Sequence, residues 1–366
     1  FRRGGTDGAQ AAAYDDSSWR SLDLPHDFQI EMPWNEKASR SRGFKDMATA
    51  WYRKTFAASG DWKGKRVVLD FEGIMLHGDA YLNGTKVGGT DYGYLGFEAD
   101  VSGLIKYDTL NVLAVHCSTG EASDSRWYTG GGLYRDVHLV VKNPVSVARH
   151  GIYVTTPEVS EQRATVDVQV EVEGIRNKKC DLVVKATILS PDGQVVGRSE
   201  VAAPKDSKQP TVEVGLPQLS IANPRLWWTE KPDLYTAEVA LVLDGKTVDK
   251  VSQRFGIRTI EFSNDFGLKL NGKKIFLKGV ACHQDYGAVG VAAYETSIAR
   301  MMDRLKEFGF NHIRTSHNPY SESFLRLADE KGILVVDELY DKWSNTIAWA
   351  GRRPWTTLRR GKVLEW

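Results

Sequence analysis

The chain has 366 residues, enough for two or three domains that each bury a core. Its 48 basic and 47 acidic side chains leave a net charge of +1, and Arg and Lys only scatter near the C-terminus, so nothing points to a nucleic-acid partner. No apolar run approaches the roughly 20 residues that span a bilayer, and three widely spaced cysteines, Cys117, Cys180 and Cys282, suggest neither a metal knuckle nor a disulfide scaffold.

The chain opens on FRRGG without Met. The expectation is that the natural start lies upstream, which leaves periplasmic, secreted and cytoplasmic locations all open. Residues 1–143 carry short apolar runs such as ATAWYRKTFAA, RVVLDFEGI and NVLAVHCS, separated by Gly, Asp and Asn turns. This pattern predicts a β-sandwich of jelly-roll-like type. Residues 144–257 repeat the style in a smaller unit, with about seven strands such as ATVDVQVEVEG and LYTAEVALVLDG. That is the size of an immunoglobulin-like β-sandwich, without the cysteine pair of antibody domains.

From 258 onward the period changes. LKLNGKKIFLKGV holds two apolar runs around Asn271-Gly272, a dipeptide suited to a tight hairpin because both positions need positive φ. ETSIARMMDRLKEFGF places Ile298, Met301, Met302, Leu305 and Phe308 on one helical face, and FLRLADEKG predicts a second helix closed by Gly332. Between and after them, strands are predicted near 275–280, 312–316 and 333–337. Strands alternating with helices imply parallel pairing through right-handed crossovers.

The C-terminal ends of these strands carry polar residues. His283 and Asp285 follow the first, Arg314, Thr315, His317 and Asn318 the second, and Asp337 and Glu338 the third. In β/α architectures that edge is where ligands bind. Trp127, Tyr128, Trp227 and Trp228 are read as packing between domains before they are read as sugar platforms.

Several strings resemble glycoside hydrolase family 2. LPHDF, AWYRKTF, GDAYLNGTKVG, SRWYTGGGLYRDVHL and NPRLWWTEKPDLYTAEV are similar to its sugar-binding and immunoglobulin-like domains. RFGIRTIEF, LNGKKIFLKGVACHQDYGAVG, NHIRTSHNP and GILVVDELYDKW resemble the start of its catalytic (β/α)8 TIM barrel. HQDYGAVG with RTSHNP is most similar to bacterial β-galactosidases. The resemblance implies a retaining hydrolase of terminal β-D-galactosides, with β-glucuronidase, β-mannosidase or a non-catalytic carbohydrate-binding scaffold as the alternatives. It implies that His283, Arg314 and His317 line the sugar subsite, with Asn318 and Glu338 as further candidates and Asp285 and Asp337 orienting the His and Arg side chains.

The partner implied is a carbohydrate, with a homo-oligomer left open. No cofactor is expected. Some β-galactosidases hold a divalent cation with a Glu and a His just past the third strand, where this sequence has Lys342 and Ser344, so no metal is expected there. A family carboxylate before the RWY motif has Asp124 or Ser125 as its counterpart here.

A retaining glycosidase needs two carboxyl groups about 5–5.5 Å apart, and the family carries both well beyond the third barrel strand. The residues from 258 onward fall far short of the about 250 that a complete barrel takes. SNTIAWAGRRPWTTLRRGKVLEW departs from the family and offers no Asn-Glu dipeptide. The expectation is a truncated or frameshifted chain, inactive by itself because it lacks the catalytic glutamates. Its last twenty residues are the candidate cover for an open barrel edge.

Overall fold

The computed structural model describes residues 1–120, 126–176, 181–205 and 207–339. Asp124, Ser125, Cys180, Lys342, Ser344 and the C-terminal tail lie outside the described residues.

The first unit is a sandwich of alternating strands. In His77–Leu82, Gly78, Ala80 and Leu82 are buried while His77, Asp79 and Tyr81 are half-exposed, the period-two pattern of a strand with one face on a core. An antiparallel sheet of Arg2–Arg3, Thr49–Ala58, Thr109–Ser118, His77–Leu82 and Thr85–Thr90 packs on a sheet of Phe97–Asp100, Arg66–Phe71 and Val137–Lys142. Phe28, Leu69, Phe71, Leu82 and Val115 fill the space between. Asn83-Gly84 turns one hairpin with φ of 52° and 88°, matching the strand twist.

The second unit is built from two four-stranded sheets, one strand more than the seven or so expected. Ser146–Thr155, Arg163–Glu173, Thr211–Gly215 and Leu219–Ala222 form one sheet, and Val195–Ala202, Leu182–Leu189, Tyr235–Leu243 and Lys246–Phe255 form the other. Val166, Val170, Ile188, Val239 and Leu241 share its core.

A small antiparallel sheet, Ile260–Ser263, Gly267–Leu270 and Lys273–Lys274, turns at Asn271-Gly272 with φ of 50° and 73°. The strand expected near 275–280 begins later. After Ile275 the chain leaves the hairpin, and Lys278 exchanges hydrogen bonds with Asn311 instead. The first parallel strand is therefore Gly279–Cys282, which pairs with His312–Thr315, which pairs with Leu334–Asp337.

Two crossover helices, Glu295–Glu307 and Glu322–Lys331, cover one face of this sheet. Ile298, Met302, Ile313, Phe324 and Leu327 meet beneath them. Phe308, expected on the buried face, is 77% exposed because the first helix ends at Glu307 and Phe308 is its cap, beyond the helical period. The second helix is capped at both ends. The Ser321 hydroxyl accepts from the Phe324 amide at 3.3 Å, and Gly332 closes the helix at φ 70°. Ser321→Ala is expected to cost about 1 kcal/mol locally. Hydrogen exchange of the Phe324 amide should accelerate about fivefold, with amides of the two sandwiches unchanged.

Candidate active-site edge

The parallel register decides what meets at the sheet edge. Cys282, Thr315 and Asp337 are aligned across the three strands. The residues immediately beyond, His283, Ser316-His317 and Glu338, therefore emerge side by side. Thr315 fixes the third strand's end: its hydroxyl accepts from the Glu338 amide at 3.0 Å and donates to Asp337 Oδ1 at 2.5 Å.

Glu338 then takes both basic neighbours. Arg314 Nε donates to Oε1 at 2.5 Å, with its Nη2 on the same oxygen, and His317 Nδ1 lies 2.6 Å from Oε2. Burial works to raise the Glu338 pKa, but the bonds from His317 and Arg314 outweigh it and hold the carboxyl below the usual glutamate range. An ionised carboxylate only accepts, so the proton in the His317 contact sits on Nδ1. Nε2 of a neutral His317 is then an acceptor for a ligand hydroxyl.

The first sandwich supplies the wall. Trp127 stacks on His283 with ring centroids 4.7 Å apart and planes at 16°, and meets His317 edge-on at 5.4 Å. The two imidazoles are themselves 5.4 Å apart. Trp127 Nε1 donates to the Tyr94 hydroxyl at 3.2 Å. The packing role read for Trp127 is thus incomplete, since its ring sits among the candidate site residues. Trp227 does pack between units: it is 1% exposed and its Nε1 donates to Asp329 O at 2.9 Å.

Asp27 holds the wall against the sheet edge. Its buried carboxylate accepts from Gln29 N at 2.9 Å and Gly131 N at 3.0 Å on Oδ1, and from the Tyr128 hydroxyl at 2.7 Å and Val291 N at 3.0 Å on Oδ2. Burial raises its pKa, and these four donors act against that rise. The close approach needs glycine at 290, where an added Cβ would lie 2.1 Å from Asp27 Oδ2. A second tie is Arg135, 4% exposed, which donates to Gln284 Oε1 at 2.9 Å and Pro319 O at 2.7 Å.

The remaining candidates are placed differently from expectation. Asn318 is 3% exposed and its Oδ1 accepts from the Tyr92 hydroxyl at 2.6 Å, so it braces the loop from beneath. Asp285 is exposed and its Oδ1 accepts from Gly287 N at 2.9 Å, shaping its own loop. Asp337 serves Thr315. Among the described residues, neither aspartate's carboxylate bonds the side chain of His283, Arg314 or His317; Asp285 meets His283 only through its backbone amide, which donates to His283 O at 2.8 Å. Asp27, Arg135 and Gln284 were missed as site residues, although LPHDF and the RWY string that carry Asp27's and Arg135's surroundings were visible as motifs.

Glu72, Asp136 and His138 bring ligand-type atoms within 4.8 Å of one another, on the first sandwich. Within it Glu72 Oε1 lies 3.2 Å from His138 Nε2, an acid–histidine pair.

The edge therefore offers a cation fork, two imidazoles, a carboxylate and an indole in a fixed array. Such a set suits a polyhydroxylated ligand. Glu338 is engaged by Arg314 and His317, so it is poorly placed to be a free acid or nucleophile.

Comparison with known proteins gives the array a context. Residues 20–127 match the glycosyl hydrolase 2 galactose-binding domain-like model, 149–258 the glycosyl hydrolases family 2 model, and 263–348 the glycosyl hydrolases family 2 TIM barrel domain. A β-galactosidase BoGH2A of Bacteroides ovatus is 33% identical over 92% of this chain and 40% of its own length. A β-glucuronidase of Bacteroides fragilis is 32% identical over 87% of this chain and 46% of its own. The crystal structure of a glycosyl hydrolase family 2 member from Bacteroides cellulosilyticus superposes with a TM-score of 0.86 at 34% identity, covering 92% of this chain and 46% of that one. The chain thus spans less than half the length of these relatives. No described helix is long and apolar enough to cross a membrane. Three models of one family, matched in succession along two β-sandwiches and the first strands of a TIM barrel, mean that this chain belongs to glycoside hydrolase family 2.

Proposed function

We propose that the chain forms the sugar-holding part of a retaining β-galactosidase. In this reading His283, Arg314 and His317 line the subsite for the terminal sugar, Glu338 fixes Arg314 and His317, and Trp127 walls the pocket. The observation that supports it is the convergence of His283, His317 and Trp127 within 5.4 Å ring-to-ring contacts at the C-terminal edge of parallel strands. The acid/base and nucleophile are assigned to residues outside those described, because retaining chemistry needs two free carboxyl groups about 5–5.5 Å apart and Glu338 is held by its two neighbours.

A β-glucuronidase is the second reading, favoured by the Bacteroides fragilis relative at nearly the same identity as the galactosidase. The test is an assay on nitrophenyl β-galactoside, β-glucuronide and β-mannoside, applied to the 366-residue chain and to the longest reading frame that contains it. The expected result is no turnover by the chain above a heat-inactivated control, and turnover by the longer form that is highest on the galactoside. Highest turnover on the glucuronide would favour the second reading. Turnover by the chain itself would overturn the assignment of the catalytic pair, with Glu338 the first residue to substitute.

A further inference from the structure

The strap between Ile30 and Asp46 carries an aromatic ring that neither the fold nor the proposed subsite uses. Trp34 is 69% exposed, although its surroundings in the sequence, NEKASRSRG, are polar. The ring is held in place. Lys45 Nζ lies 4.1 Å from the ring centroid, while Lys45 itself is 3% exposed and anchored through Nζ to Ile30 O at 3.2 Å and to Met32 O. The ammonium covers one face of the indole. The high exposure belongs to the other.

The strap is closed and docked. Asn35 N donates to Phe44 O at 2.9 Å, and Asn35 Nδ2 donates to the Asp46 carboxylate at 2.9 and 3.0 Å, so the two legs are joined. One leg packs on the loop that follows His283: a Cβ at Gly290 would lie 3.0 Å from Ile30 Cβ. The other leg packs on Tyr128, 3.5 Å from where a Gly43 Cβ would be. Tyr128 is the chain neighbour of Trp127, which stacks on His283. The legs thus rest on the loop that follows His283 and on the chain neighbour of Trp127, and Trp34 lies on the first leg beside the Asn35–Phe44 closure.

We infer that the open face of Trp34 is a second, outlying sugar platform, which stacks on a pyranose of an oligosaccharide whose terminal unit sits at His283 and His317. This rests on the sugar-site reading above and narrows its substrate class from small galactosides to chains of several units. A single indole face matches one pyranose ring in size. It is far short of the roughly 1,000 Å² of total surface that a specific protein partner needs.

The test is titration calorimetry of the wild-type chain, Trp34→Ala and Trp34→Phe with methyl β-D-galactoside and with galactose-terminated tetrasaccharides of differing linkage. The wild type is expected to bind at least one tetrasaccharide about tenfold more tightly than the monosaccharide. Trp34→Ala should abolish that gain and leave monosaccharide affinity and thermal midpoint unchanged, while Trp34→Phe keeps most of it. A gain that survives Trp34→Ala, or no gain in the wild type, overturns the platform. Tetrasaccharide binding that depends on Trp34, with no monosaccharide binding, upholds the platform and overturns the His283–His317 subsite. No binding of any of the sugars overturns both.

Discussion

Asp27→Ala is expected to lower stability by about 3–5 kcal/mol, the largest effect of any single polar substitution considered for this chain. The side chain is 2% exposed and serves five donors, from Gln29, Ile30, Gly131, Tyr128 and Val291. Alanine leaves them facing a cavity too small to hydrate them all, and each stranded buried donor costs about 1–3 kcal/mol. Relief from burying the carboxylate offsets part of that sum. Asp27→Asn should fall between: its carbonyl still accepts from Gln29 and Gly131, and the Tyr128 hydroxyl can turn to accept, but its NH2 meets the Val291 N–H donor to donor. Thermal unfolding of the three proteins checks the order, with a drop of roughly 10 °C for Asp27→Ala. An unchanged midpoint would mean that the first sandwich is not held to the β/α unit through this carboxylate. Because burial raises the Asp27 pKa, folding favours its protonated form. Its contribution to stability therefore grows as pH falls through the folded-state value, so acid does not release this tie.

The parts of the molecule that read easily from sequence are those in which information is local. The change of period from residue 258, the Asn271-Gly272 turn and the Gly332 cap each depend on a few adjacent residues, and the elements they announce are present. His283 and His317 could be grouped because parallel register brings equivalent strand ends to one edge, so a strand count suffices. Asp27 was not legible in that way. Its partners Tyr128 and Val291 lie 101 and 264 positions away, and no periodicity marks a buried carboxylate. Asn318 shows the opposite failure. It sits at a strand end with a ligand-type side chain, yet Tyr92 from the first sandwich, 226 positions away, takes its amide oxygen and buries it. Position along the strand gave the edge correctly, and tertiary partners decided which side chains face out of it.

With the galactoside subsite as proposed, Glu338→Ala is expected to cut the affinity of the chain for a galactoside by about 10–30-fold while costing less than about 1 kcal/mol of stability. The asymmetry follows from exposure. Arg314 is 46% and Glu338 22% exposed as side chains, so water takes over much of the lost ion pair in the folded state. The ligand loses more. Without Oε2 the His317 ring is free to flip, and the tautomer that presents Nε2 as an acceptor is no longer selected. Without Oε1 the Arg314 fork swings away from the edge. Glu338→Gln should keep the carbonyl contact to His317 and lose the charge-assisted one to Arg314, giving an intermediate loss. The pH dependence separates this from a general loss of shape. A carboxyl whose folded pKa is held down by its partners contributes its contacts above its unfolded value and loses them as pH falls through the lower folded one. Affinity of the wild type should therefore show an additional fall below the usual glutamate range, and Glu338→Gln should lack that step. Calorimetric titration with methyl β-D-galactoside between neutral and acid pH, paired with thermal unfolding of each variant, measures both quantities. Equal affinity in wild type and Glu338→Ala would remove Glu338, and with it the Arg314–His317 pair it organises, from the sugar site.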